Sequence, residues 1–123
     1  MDLKKEITLF RSFRYFGKVK TTELVTFTRE LSVLTNAGLP LIKALISLRD
    51  QMDEGKLRIV TSQVIESVER GDSFSESIER FPNVFSRLYV NMIKSGEISG
   101  DLDGVMHRLA TLLEKQQRLI KRI

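Results

Sequence analysis

Asn36-Ala37-Gly38-Leu39-Pro40-Leu41 and Gly96-Glu97-Ile98-Ser99-Gly100-Asp101-Leu102 are two glycine-marked junctions about sixty residues apart. Each reads as a helix end followed at once by a helix start. Gly38 and Gly96 stand where a chain leaving a helix turns left-handed, a conformation that costs other residues a Cβ clash. Pro40 follows where a new helix has no use for a backbone N–H. Asp101 is placed to accept a hydrogen bond from the free N–H groups of the helix it opens.

Outward from these junctions the hydrophobic spacing is helical throughout residues 21–123. Thr21 or Thr22 caps a first helix, with Glu23 near its positive end and Leu24, Phe27, Leu31 and Leu34 along one stripe. Pro40 opens a second, with Leu41, Ala44, Leu45 and Leu48 inward, running to about Met52. After the break at Asp53-Glu54-Gly55, a third carries Leu57, Val60, Val64 and Val68 and closes at Gly71. Ser73-Phe74-Ser75-Glu76 is a capping box, in which serine and glutamate satisfy each other's free N–H groups. It starts a short fourth helix with Phe74, Ile78 and Phe81, stopped by Pro82. The fifth carries Phe85, Leu88, Tyr89, Met92 and Ile93 and ends at Gly96; the sixth runs from Asp101 through Leu102, Val105, Met106, Leu109, Leu112 and Leu113 and on past Leu119. No strand alternation persists and no internal repeat is visible. The fold class is therefore all-α, a compact bundle of six helices with short connections.

Bulk composition fits that reading. The chain has 123 residues, 41% hydrophobic and 29% charged, which suits one globular domain with one modest core. It has no cysteine, which removes any disulfide framework or thiolate metal site. No run approaches the ~18 apolar residues of a membrane span, and no signal peptide is visible at Met1.

The net charge of +4 hides a distribution. Residues 1–20 carry Lys4, Lys5, Arg11, Arg14, Lys18 and Lys20 against Asp2 and Glu6, and residues 114–123 carry Lys115, Arg118, Lys121 and Arg122 against Glu114. The middle is mildly acidic. Two basic ends on an acidic body are not the footprint of a nucleic-acid-binding face, which places its cations on the folded surface. They suit an anionic membrane leaflet, and they equally suit two solvated tails. Residues 1–20 show no helical period. Phe10, Phe13, Tyr15 and Phe16 interleave with Arg11 and Arg14, a pattern open to a docked or loose linker, a membrane-surface contact, or stacking on nucleic acid.

The junctions also carry a family resemblance. Phe27-Thr28-Arg29-Glu30-Leu31 with Ala37-Gly38-Leu39-Pro40-Leu41, then Gly96 to Leu102, Leu109-Ala110 and Leu113-Glu114-Lys115-Gln116, resemble a cytoplasmic domain of the type II secretion system F protein and type IV pilus inner-membrane platform protein family (GspF/PilC). The resemblance covers roughly residues 21–123 and is better to the first of the two copies that full-length members generally carry. Arg29, Leu31, Gly38, Pro40, Leu41, Gly96, Glu97, Gly100 and Leu102 match the family signature; Glu30 departs from it, standing where the family often has glutamine. The resemblance implies an inner-membrane protein with this domain on the cytoplasmic side, and a last helix leading into a transmembrane segment. Lys115, Arg118, Lys121 and Arg122 are then membrane-proximal, as the positive-inside rule expects. It implies partners among the secretion or pilus machinery, including the cytoplasmic assembly ATPase, and membrane attachment through the rest of a longer chain, of which these residues are an excised piece.

Nothing in the spacing proposes an enzyme. His107 is the single histidine, off the line of Leu102, Leu109 and Leu113, and reads as structural. No nucleophile set and no phosphate loop is present, so the expectation is no catalysis, no cofactor and no small-molecule substrate. Glu97, Asp101 and Asp103 are weak candidates for a cation. The run Asp101-Leu102-Asp103-Gly104 lacks the later ligands of a calcium loop, and both aspartates suit a helix N-terminus. Glu97 is expected to tie the fifth and sixth helices, through a hydrogen bond or an ion pair with an arginine such as Arg29. Tyr89, Met92 and Met106 are candidates for a self-association face of a homo-oligomer, although core packing is the commoner role of such side chains. The main reading is an interaction module without nucleic acid; the alternative is a soluble helical regulatory domain that binds nucleic acid through its basic ends.

Overall fold

A computed structural model describes residues 3–5 and 18–121. Six full helices follow in order: α1 (Thr21–Asn36), α2 (Leu41–Gln51), α3 (Lys56–Glu69), α4 (Phe74–Glu79), α5 (Arg87–Ser99) and α6 (Leu102–Lys121). Residues 3–5 are also helical, which makes seven helical segments rather than six among the described residues. Among its described residues the one apolar side chain, Leu3, is 68% exposed, which leaves no inward stripe for periodicity to reveal. Lys5 Nζ meets Glu66 Oε1 at 3.2 Å in an exposed ion pair, a kind of contact worth little in water. The aromatic-basic stretch at 10–16 lies outside the described residues.

Each helix packs on the next, and α1 packs along α6, so the six close into a ring. The α1–α6 pair is antiparallel. Asn36 Nδ2 donates to the Asp103 carbonyl at 3.2 Å, Thr35 Oγ1 faces the Met106 sulfur at 3.6 Å, and Arg29 reaches Thr111 and Glu114. Inside the ring lie Phe27, Leu31, Leu45, Val60, Ile65, Ile78, Phe85, Ile93 and Leu109 with their neighbours. Phe85 is the aromatic centre, 6.4 Å from the Phe27 ring and 5.1 Å edge-on from Tyr89. The apolar stripes are inward as the spacing predicts up to Leu113, with corrections at Leu88 and at Leu119 and Ile120, the last two 51% and 67% exposed on the final turns of α6. Leu88 is 51% exposed, because Phe85 precedes α5 and the helix phase turns Val90 inward instead.

The helix ends follow elementary capping rules. Ser73 Oγ accepts from the Glu76 N–H, and Ser86 Oγ accepts from the Tyr89 N–H. Asp101 Oδ1 accepts from the Gly104 N–H at 3.2 Å, in the space a Cβ on residue 104 would enter. At the start of α1 the expected threonine cap is absent. Thr21 and Thr22 lie inside the helix, and the Glu23 carboxylate accepts from the Lys20 N–H at 3.2 Å. Gly38 has φ +98°. There the Leu39 N–H reaches back to the Leu34 carbonyl and the Gly38 N–H to the Thr35 carbonyl, the paired bonds that close a helix through a left-handed residue.

The second junction differs from its sequence reading. Gly96 does not end α5; the helix runs on to Ser99, and the left-handed residue is Gly100, φ +75°. Gly96 is a glycine for another reason. A Cβ there would sit 3.0 Å from the Leu102 Cα and 3.0 Å from the Val105 Cβ. The missing side chain is what lets α6 cross α5 so closely.

One buried polar pair lies at the heart of the packing. The Thr28 and Tyr89 hydroxyls are 2.8 Å apart, and both residues are almost wholly buried. Thr28 commits its proton to the Leu24 carbonyl at 2.8 Å, so Tyr89 is the donor to Thr28. Burial pushes the Tyr89 hydroxyl well above the ordinary phenol range, outweighing the bond to Thr28.

Three outcomes are expected in chemical denaturation. At Gly38, where a Cβ meets open space, alanine and valine should cost about the same, ~1 kcal/mol, because the cost is backbone strain. At Gly96 the cost should grow with size, valine losing roughly 1–3 kcal/mol more than alanine through overpacking; equal costs there would mean α5 and α6 are not in contact at this point. At the buried pair, Thr28→Val should cost about 1–3 kcal/mol by stranding the Tyr89 hydroxyl, and Tyr89→Phe in the same chain should recover part of it.

Candidate functional site

The signature positions fall at three places on the ring, the third being the α1–α2 corner of Gly38, Pro40 and Leu41. The first is the α1–α6 seam. Arg29 is held bidentately by Glu114, Nε to Oε2 at 2.8 Å and Nη2 to Oε1 at 2.7 Å. Its remaining donors reach Thr111 Oγ1 at 3.1 Å and His107 Nδ1 at 3.1 Å. His107 accepts there, so its proton is on Nε2. Such a planar fork-on-carboxylate match is what arginine provides and lysine does not. Arg29, followed first by Arg118, holds the Glu114 carboxyl below the ordinary carboxylate range. Leu31, two residues on, is buried in the core beneath.

The second place is the α5–α6 corner, where Gly96, Glu97, Gly100, Asp101, Leu102 and Asp103 line a shallow pocket of ≈ 250 Å³. Glu97 does not pair with Arg29, and it does not bridge α5 to α6. It accepts from both the backbone N–H (3.2 Å) and the hydroxyl of Ser75. Ser75 is in the first turn of α4, so Glu97 satisfies one of that helix's orphan donors from a distant part of the chain. That contact, with the Ser73–Glu76 box, lets a helix of only six residues persist. Asp101 is committed to its cap and lies 3.9 Å from Arg108. Asp103 is exposed. Glu97 and Asp101 thus serve separate structural ends, and among the described residues no three His, Cys, Asp or Glu side chains group to hold a metal.

The other candidates are placed as follows. Gly38 and Pro40 form the α1–α2 corner, and Leu41 packs partly buried against the core. Tyr89 and Met106 are 2% and 1% exposed, so they belong to the core rather than to a surface for self-association. Met92 is half-buried. Lys115 and Arg118 are exposed on the last turns of α6; Lys121 ends that helix, and Arg122 lies outside the described residues.

Sequence reasoning missed one polar cluster. Ser67 Oγ donates to Asp72 Oδ2 at 2.7 Å and accepts from Arg80 Nη1 at 2.6 Å, and Arg80 Nη2 reaches Asp72 Oδ2 at 3.1 Å. It fastens the α3–α4 turn. The Ser67 bond first, then Arg80, hold the Asp72 carboxyl below its usual value. The available signal was phase: Ser67 and Ser77 fall at inward positions of their helices, where a polar residue needs a partner.

Both depressed carboxyls have the same sign of linkage. They stabilise the fold above the unfolded carboxylate range, about pH 4, and that contribution is lost as pH falls through their lower folded values. Urea denaturation across pH should therefore show a plateau near neutrality and a fall in acid. The double variant Asp72→Asn, Glu114→Gln should flatten the acid limb; an unchanged limb would mean neither carboxylate is engaged in solution.

The chain is also similar to known proteins over nearly all of this ring. The family model "Type II secretion system (T2SS), protein F" matches residues 27–123. A type IV pilus assembly protein PilC of Thermus thermophilus is 43% identical over 97 residues, 79% of this chain and 24% of that protein. A PilC of Myxococcus xanthus is 35% identical, covering 88% of this chain and 26% of that protein. The type II secretion system protein F of Aeromonas hydrophila is 36% identical, covering 94% and 29%. The chain thus spans about a quarter of the length of these relatives. With Arg29, Gly96 and Glu97 inside the matched region and each fixed by a contact of the ring, the chain belongs to the type II secretion system protein F family.

Proposed function

We propose that this ring of helices is a non-enzymatic interaction module of an inner-membrane platform protein, on its cytoplasmic side. It would transmit force between the cytoplasmic assembly ATPase and the assembly of pilin or pseudopilin subunits, and would associate with further copies of itself. The observation that carries this reading is the family match across residues 27–123, to relatives named for type IV pilus assembly and for type II secretion. The use of polar residues supports it. Arg29, Glu97, Asp72 and Tyr89 are engaged within the fold, which suits a body that works through its outer surface. No described helix is long and apolar enough to cross a membrane, so attachment would come from elsewhere in a longer protein.

Exposed apolar side chains are the natural contact points. Ile98 is 79% and Val33 58% exposed. Ile98→Asp or Val33→Asp, placed in the native gene, should leave the domain's thermal midpoint unchanged but reduce pilus formation or secretion at least several-fold. Full assembly in both variants, and in a strain lacking the segment altogether, would sink the reading.

A further inference from the structure

The chain between Asp72 and Arg80 is an excursion tied at its base. Arg80 Nη2 meets Asp72 Oδ2 at 3.1 Å, and both side chains bond the Ser67 hydroxyl on α3. The helix α4 is carried within that excursion. Beyond it the chain is anchored again, Val84 and Phe85 being buried in the core. Both flanks of α4 are thus fixed without it. A helix of six residues is too short to hold itself together in water. This one packs on α3 and α5 and gives Phe74 and Ile78 to the core. Among the described residues, two side chains from outside hydrogen-bond to it. Ser67 Oγ accepts from Ser77 Oγ at 2.9 Å, and Glu97 on α5 accepts from the Ser75 N–H and hydroxyl. Ser67 belongs to the fixed base. The Glu97 carboxylate is the charged partner of the two, and a hydrogen bond to a charge is the stronger kind.

We infer that residues 73–79 open and close as a unit of their own while the α1–α6 seam stays shut, with the Glu97 carboxylate as the latch. Opening breaks the Glu97–Ser75 and Ser77–Ser67 bonds and uncovers Phe74 and Ile78 as an apolar surface between α3 and α5. The Ser67–Asp72–Arg80 clasp holds the two ends of the excursion together meanwhile, which confines the opening to this segment. The inference does not depend on the platform reading, because it concerns the order in which parts of this domain open.

The test is amide hydrogen exchange of the 123-residue chain, read along α1 and α6 and at Ser77 and Phe81, whose N–H groups bond the Ser73 and Ile78 carbonyls. Ser77 and Phe81 should exchange faster than the seam, with little dependence on low urea because little surface is exposed. Glu97→Ala should speed them about ten-fold, as expected for the loss of a hydrogen bond to a charge. Glu97→Gln, which keeps an oxygen acceptor, should have a smaller effect in the same direction. Arg29→Ala at the seam is the discriminating variant, because it weakens the closed and the α4-open forms alike. It should speed exchange along α1 and α6 about ten-fold and at Ser77 and Phe81 by less than about two-fold. Equal acceleration at both places means that α4 opens only with the whole fold, and overturns the inference. Unchanged exchange at Ser77 and Phe81 in both Glu97 variants overturns it as well, by removing the latch.

Discussion

The fold depends on the closure of α1 against α6. Every other helix pair in the ring joins neighbours in sequence, so its loop cost is small. The α1–α6 seam alone joins the two ends of the domain, across roughly eighty residues of intervening chain. Its contacts are correspondingly specific. An apolar stripe alone would let two helices slide by a turn, since Leu, Val and Met are tolerant of register. A bidentate guanidinium on Glu114, an amide on one carbonyl and a hydroxyl against one sulfur do not tolerate it. Coulomb energy at a half-exposed site is modest. What Arg29 contributes is chiefly the register at which the ring shuts.

The same economy governs the interior. Tyr89 from α5 donates to Thr28 on α1, across the core. Ser67 on α3 accepts from Arg80, which follows α4. Glu97 on α5 caps α4. No buried side-chain nitrogen or oxygen among the described residues lacks a partner. The pairs just named each join two elements, and a satisfied polar contact inside a low-dielectric core discriminates between arrangements more sharply than an apolar one. A body built this way resists internal shear.

Much of this was legible in the sequence because helices announce themselves through period and punctuation. Gly38, Gly71, Pro40 and the Ser73–Glu76 box each mark a boundary by a local mechanism, and the boundaries stand. The errors share one cause. Gly96 and Gly100 are both glycines near a helix end, and propensity cannot say which is left-handed and which is pressed against a neighbour. Glu97 and Ser75 lie twenty-two residues apart, so their contact follows from tertiary placement alone. Tyr89 and Met106 have side chains that suit surfaces and cores equally, and only packing assigns them to the core. The family resemblance identified Arg29 and Glu97 as residues that matter; the geometry gave each a different partner from the one expected.

The ring also fixes where the chain enters and leaves. Lys20 opens α1 and Lys121 ends α6, and the antiparallel seam brings these two points to the same end of the bundle. Such a domain is an excursion from a chain's path rather than a segment along it. A longer polypeptide can carry it between two of its own elements without those elements having to move apart, which is the condition for domain insertion. Carried in that way, the bundle would project from one place, with its α1–α2 and α5–α6 corners at the opposite end.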